Sequence, residues 1–194
     1  MIAILCGCEG EGGQAVTELA PAPEAPQADS TYFQEIGNEI GLDFVHSIGS
    51  SEMKNIIESV GGGAAFLDYD QDGYIDIYAC SGTWIKGFSK SDEPSEARGN
   101  RLYRNRHDGT FEDVSEKSGI SGPWYSMGVS VGDYNNDGFP DLFLSNYGEN
   151  ALLENQGDGT FRDRSDAAGI KGGQESSVGA AWLDYDNDGF LDLY

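Results

Sequence analysis

The stretch FLDYDQDGYIDIY, from Phe66 to Tyr78, constrains this chain more than any other feature, because four aspartates within nine positions sit inside a run of strand-forming residues. Two relatives follow, VGDYNNDGFPDLF from Val131 and WLDYDNDGFLDLY from Trp182. The three loops begin at Asp68, Asp133 and Asp184, with spacings of 65 and 51 residues. Like charges at that density repel unless a cation shares them. The fold therefore has to present the same acidic turn three times and give each copy a reason to exist.

A second recurring unit sets the period. YFQEIGNEIGL, TFEDVSEKSGI and TFRDRSDAAGI end at Leu42, Ile120 and Ile170, and the last two are 50 residues apart, as are NRLYRN at Asn100 and NALLEN at Asn150. SGTWIKGFSKSDEPSEARG, Ser81–Gly99, lengthens the first interval and reads as a surface insertion; another lies near residues 46–59. Within one period an apolar run enters the aspartate loop and a second strand leaves it. RLYRNRHDGTFEDV then reads as two more strands joined by a turn at Asp108 and Gly109, matched by Asp158 and Gly159, since Asp-Gly between β-prone residues is a strong hairpin signal. Four short strands about every 50 residues predict an all-β chain, a partial β-propeller whose blades are stable only when stacked on their neighbours. The aromatics Phe111, Phe161, Trp124 and Trp182 are expected between blades.

A hard divalent cation such as calcium takes six to eight oxygen ligands at about 2.3 to 2.6 Å. The first loop offers the carboxylates of Asp68, Asp70 and Asp72, the carbonyl of Tyr74 and the carboxylate of Asp76, with Gly73 allowing the positive-φ turn that wraps an ion. The second offers Asp133, Asn135, Asp137, the carbonyl of Phe139 and Asp141; the third offers Asp184, Asp186, Asp188, the carbonyl of Phe190 and Asp192. An EF-hand would need a bidentate glutamate at position 12 and flanking helices. Ala79 and Leu144 stand there and the flanks are strand-like, so that reading fails. Asn135 removes one charge from the middle loop, which predicts the weakest calcium site of the three. With calcium at ten times a sub-millimolar Kd, each filled site would stabilise the fold by about 1.4 kcal/mol.

The overall charge agrees with a cation-collecting surface. Asp and Glu number 34 against 11 Lys and Arg, a formal net of -23, which three calcium ions would move to -17. Such a surface repels phosphate backbones and argues against nucleic acid as a partner. Cys6, Cys8 and Cys80 form no zinc pattern and no disulfide framework, and Cys80, ending an apolar run, reads as a small buried hydrophobe.

The first eight residues, MIAILCGC, resemble the end of a bacterial lipoprotein signal, with Leu5, Cys6, Gly7 and Cys8 as the lipobox and a lipid, hence membrane attachment, on Cys8. A signal also needs a basic region and a longer apolar core ahead of it, so the true start is expected upstream. Residues 9–30, rich in Pro, Ala, Gly and Glu, read as a flexible, disordered tether that cannot bury enough surface to order itself. No run reaches the length of a transmembrane helix. Residues 31–194 are read as the propeller blades.

GGGAAFLDYDQDGYIDIY, NRLYRNRHDGTFEDVSEKSGI and GVSVGDYNNDGFPDLFLSN together resemble the FG-GAP/VCBS repeats of integrin-α-like propellers, and specifically the cartilage acidic protein or ASPIC/UnbV group. The resemblance covers roughly residues 32–194. It implies a secreted, periplasmic or cell-surface calcium-binding propeller, commonly seven-bladed and often followed by another domain. At about 50 residues per blade the chain then reads as a fragment truncated at both ends.

No catalytic constellation is evident. GVSVG, Gly128 to Gly132, matches the nucleophile-elbow pattern, yet Ser130 aligns with Ala65 and Ala181 inside a strand and reads as a core residue. His46 and His107 have no acid or nucleophile beside them in sequence and read as solvated. Trp84 or Trp124 could stack on sugars. The expectation is a non-enzymatic module that binds a protein or glycan ligand outside the cytoplasm, with contacts from loops such as Ser81–Gly99. The alternative is an accessory or substrate-binding propeller of a secreted polysaccharide-acting enzyme.

Overall fold

The computed structural model describes residues 34–50, 52–53, 55–85, 89, 99–173 and 175–194, so the lipobox around Cys8, the tether at 9–30 and most of the insertion at 81–99 lie outside the described residues. The blades belong to one compact unit, Ile36–Tyr194. Strands β1 (Ala64–Leu67), β2 (Asp76–Ala79), β3 (Arg101–Asn105) and β4 (Phe111–Asp113) form a four-stranded antiparallel sheet in chain order. Strands β5 (Tyr125–Gly132), β6 (Asp141–Tyr147), β7 (Ala151–Asn155) and β8 (Phe161–Asp163) repeat it, and β9 (Trp182–Leu183) with β10 (Asp192–Leu193) begin a third. Helix is confined, among the described residues, to a 3-10 turn at Ile56–Ser59 and one α-turn, α1, at Ser165–Ala168. The chain is all-β and built of propeller blades, as its repeats predict.

Local chemistry explains the repetition. At the β3–β4 turn the Thr110 N–H and hydroxyl both donate to Asp108 Oδ1, at 2.9 and 2.6 Å, and Thr160 does the same to Asp158 at 3.0 and 2.6 Å. An aspartate that bonds its own backbone two residues on stabilises a tight turn. After the outer strand, the Ser115 hydroxyl accepts the Leu102 N–H at 2.9 Å and the Ser165 hydroxyl accepts that of Leu152 at 3.0 Å. The shared Asp-x-Ser segments thus tie the end of each blade back to its third strand.

A single blade cannot cover its own faces, and one apolar cluster runs through both sheets, with Leu67, Tyr69, Tyr78 and Leu102 joined to Leu142, Leu144, Leu153 and Phe161. Each large side chain removed from water contributes about 1.5 to 3 kcal/mol. The neighbour supplies the burial. Tyr69, with the Phe161 ring stacked at 6.2 Å, is 4% exposed, whereas Tyr185 at the matching place in the third repeat is 80% exposed. Trp182 stacks on Tyr134 and meets Phe143 edge-on, both at 6.4 Å. Gly132 makes room for that ring, since a Cβ there would lie 2.7 Å from the indole. Phe161 and Trp182 therefore fill inter-blade contacts, as expected from sequence.

The Phe161 N–H donates to the Ser118 carbonyl and the Phe111 N–H to that of Ile40, both at 2.7 Å. Residues 36–42 thus stand against the first blade as residues 114–120 stand against the second, which is the meaning of the recurrent Gly-aliphatic segment. Ser130 lies in β5 and its hydroxyl donates to the Ala180 carbonyl. It occupies a strand, as its alignment with alanines implies.

Antiparallel order places the aspartate loops and the β3–β4 and β7–β8 turns at one end of the blades, and the insertions at the other. Described residues of the two insertions meet there. The Ser47 N–H donates to the Ser81 hydroxyl at 3.0 Å, and the Gly82 N–H to the Ser47 carbonyl at 2.8 Å. Beneath them Asn100 accepts the Ser81 N–H, donates to the Ser126 hydroxyl, and Ser126 donates to Asn146, each at 2.8 Å. This buried polar chain is satisfied at every link named, which fixes how the blades meet.

Candidate metal centre

Each loop is built from its first aspartate inwards. Asp68 accepts the N–H groups of Asp72 and Gly73 at 3.0 and 2.9 Å, Asp133 those of Asp137 and Gly138 at 3.1 and 2.8 Å, and Asp184 those of Asp188 and Gly189, both at 3.1 Å. The fifth position then accepts the N–H of the residue after the glycine, Tyr74, Phe139 or Phe190, at 2.8 to 3.0 Å. Gly73, Gly138 and Gly189 have φ of 88°, 92° and 90°, with open space where a side chain would begin. Only the backbone conformation demands glycine there. The residue two places earlier, Gln71, Asn136 or Asn187, is also left-handed, at 56°, 57° and 61°.

The ninth-position aspartate ties the loop to the sheet. Asp76 accepts the N–H of Tyr69 at 3.1 Å and of Asn105 at 2.8 Å, and Asp141 accepts those of Tyr134 and Asn155 at 3.2 and 2.8 Å. Both are fully buried. Asp192 accepts the Tyr185 N–H at 2.9 Å and is exposed.

Oxygens of Asp68, Asp70 and Asp76 lie within 4.8 Å of one another, and so do those of Asp184, Asp186 and Asp188. In the middle loop, among the described residues, no three carboxylates converge to that degree; the Asn135 amide, oriented by its hydrogen bonds, donates to Asp137 Oδ2 at 2.9 Å. At 4.8 Å two carboxylates repel by about 3 kcal/mol at an effective dielectric near 20. Burial pushes the Asp76 carboxyl up to about 6 against the hydrogen bonds from Asn105 and Tyr69, and pushes Asp141 up to about 6 in the same way. Asp70 Oδ1 is buried without a hydrogen-bond partner. An all-oxygen donor set with an orphaned carboxylate oxygen and crowded negative charge fits a hard divalent cation. The flanking strands keep the loop distinct from an EF-hand.

The ion pairs around the first loop were not legible from local sequence. Arg104 on β3 places Nε 2.7 Å from Asp70 Oδ2 and Nη2 3.3 Å from Asp72 Oδ2. His107 is exposed, as expected, and it also makes contacts that local sequence does not show: its Nε2 lies 2.6 Å from Asp72 Oδ2 and its ring stacks on Tyr74 with centroids 3.8 Å apart. Partial burial works against the Asp72 charge, but the bonds from His107, Tyr74 and Arg104 hold its pKa below the ordinary value. The acid is 35 residues away in sequence, so only the β1–β4 register reveals it. Adjacent loops also touch: the Gln71 amide donates to the Gly138 carbonyl, and that of Asn136 to the Gly189 carbonyl at 2.7 Å. Asn155, whose match with Asn105 fifty residues earlier was a readable signal, donates to the Tyr69 carbonyl at 2.8 Å across the blade boundary.

Stacked four-stranded meanders with an acidic turn between the first two strands define a repeat-built propeller protein. The FG-GAP-like repeat family model matches residues 68–144 and 133–194, and the chain belongs to that family. No curated protein matches the chain. FG-GAP-like repeats suggest a propeller-like interaction module.

Proposed function

We propose that this chain is a calcium-binding, non-catalytic propeller module that works outside the cytoplasm, as a secreted, periplasmic or lipid-anchored surface protein, and binds a protein partner. The observation that carries the metal reading is the convergence of the Asp68, Asp70 and Asp76 oxygens to within 4.8 Å, with a second convergence in the third loop at its first, third and fifth positions, Asp184, Asp186 and Asp188. When bound, calcium supplies positive charge that relieves this repulsion and fixes the loop. The chain's own residues do the rest: Asp76 and Asp141 anchor the turn to β3 and β7, and the neighbouring loop's amide braces it. Calcium outside cells is abundant enough to fill sites of this class, which supports the placement. The finer affinity with the cartilage acidic protein or ASPIC/UnbV group rests on the repeat motifs.

The insertion-bearing end is the partner face in this reading. Val45, Met53 and Ile56 are 68%, 65% and 85% exposed there, and exposed aliphatic side chains favour a protein surface over a sugar. Trp124 packs partly buried against the core cluster, which leaves a poor sugar platform. No helix among the described residues is long and apolar enough to cross a membrane.

Calcium titration into chelated protein tests the metal reading, with the melt followed by circular dichroism and bound calcium counted by elemental analysis. The expected result is an upward shift in Tm with bound calcium. An unchanged melt together with no bound calcium would overturn it.

A further inference from the structure

We propose that Arg104 is a built-in counter-ion of the first aspartate loop: it holds that loop's carboxylates together before calcium arrives and weakens calcium there. This rests on the calcium reading of the loops. The guanidinium sits on the carboxylates of the third and fifth loop positions, with Nε 2.7 Å from Asp70 Oδ2 and Nη2 3.3 Å from Asp72 Oδ2. Asp70 is one of the three carboxylates that converge in this loop, and its Oδ1 has no hydrogen-bond partner, so the guanidinium holds the other Asp70 oxygen and Asp72 and offsets the negative charge an ion would draw on. Arg104 precedes Asn105, whose N–H anchors Asp76, and β3 therefore aims the side chain at the loop whenever the blade is folded.

The second blade supplies the internal comparison. Glu154, an acid, stands at the matching place and bonds Arg164 at 2.8 Å and the Tyr134 hydroxyl at 2.7 Å. Among the described residues no basic side chain pairs with Asp133, Asp137 or Asp141, nor with the third loop's Asp184, Asp186, Asp188 or Asp192. The repeat does not need a cation at this position in order to fold. The first loop, with four aspartates and one arginine, carries a formal charge of -4 + 1 = -3, equal to that of the second loop, where Asn135 replaces one aspartate. Arg104 and Asn135 thus lower the charge of two neighbouring loops by different routes.

The test compares the 194-residue chain with Arg104→Gln and Arg104→Lys by calcium calorimetry, with Asp68→Ala identifying the first-loop component, and by melts in chelator and in saturating calcium. Arg104→Gln is expected to tighten first-loop calcium about tenfold, or about 1.4 kcal/mol, to lower Tm in chelator and to leave Tm in saturating calcium nearly unchanged. Arg104→Lys, which keeps the charge, should behave closer to the parent. A side chain that merely packs would lower Tm equally in both conditions and leave affinity alone, and that outcome overturns the proposal. So does a first-loop affinity that falls. Calcium filling the third loop while the first is indifferent to Arg104→Gln removes this inference and leaves the calcium reading standing; calcium absent from every loop removes both.

Discussion

The first and second blades share strand order, turn chemistry and loop backbone, yet differ in what surrounds the acidic turn. Asp70 and Asp72 of the first loop pair with Arg104 and His107, whereas Glu154 and Gly157 stand at the matching positions of the second blade. Glu154 turns instead to Arg164 and Tyr134 on its own blade. Backbone geometry is thus set by aspartate and glycine alone, while the electrostatics of each copy is set by a strand some thirty residues away. The repeat conserves a shape and varies its charge.

The largest expected effect tests what the two blades hold in common. Asp76→Ala and Asp141→Ala each leave two backbone N–H groups without their acceptor, so each should cost about 3 kcal/mol by urea denaturation. Asp192→Ala, at an exposed aspartate with one such bond in place, should cost under about 1 kcal/mol. Equal losses at Asp141 and Asp192 would show that the anchor adds nothing beyond the loop itself.

A second contrast concerns the asparagines that follow Arg104 and Glu154. Asn155 is buried and donates to the carbonyls of Tyr69, in the preceding blade, and Pro140, at 2.8 and 3.2 Å. Asn105 donates only locally, to Ile75 at 3.1 Å among the bonds described. Asn155→Ala should therefore cost about 2 kcal/mol and Asn105→Ala about 0.5 kcal/mol, read from denaturation midpoints. Comparable losses would mean that the bond across the blade boundary contributes little.

Much of this was readable in advance, and the part that was not has a common cause. Four strands per period, the Asp108–Gly109 and Asp158–Gly159 turns and the left-handed glycines follow from local rules, because the residues that decide them are neighbours in sequence. The pairing of His107 with Asp72 depends on which loop β3 returns beside, and local reading left the histidine in solvent. Arg104 was invisible for the same reason, although the Arg104 to Glu154 change at a fifty-residue offset marked a place where the copies diverge. The amide at the fourth loop position was present in all three copies, as Gln71, Asn136 and Asn187, but the partners of Gln71 and Asn136 belong to the next loop.

Acid separates the blades further. The Arg164 guanidinium, helped by Gln156 and Tyr134 against partial burial, draws the Glu154 carboxyl down from its usual 4.5 to about 2. A folded-state pKa below the unfolded one contributes stability that is present above about pH 4.5 and is lost as pH falls towards 2. Screening at this partly open site limits the contribution to about 1 kcal/mol. Glu154→Gln should flatten that part of the stability-versus-pH curve between pH 4.5 and 2 relative to the parent, and an identical slope in both proteins would discount the pair.

The smallest effect probes the bridge between loops. Asn136 and Gln71 both carry left-handed backbone, at φ of 57° and 56°, and both donate an amide to the next loop's glycine. Glycine removes the amide and relieves the backbone at once. Asparagine tolerates that conformation far better than glutamine, so relief is smaller at 136 than at 71. Asn136→Gly should lose about 0.5 kcal/mol, whereas Gln71→Gly should come out near zero or slightly stabilising. Urea midpoints resolve the difference, and equal shifts at the two positions would mean that the bridging amide, rather than the backbone beneath it, sets the balance in both loops.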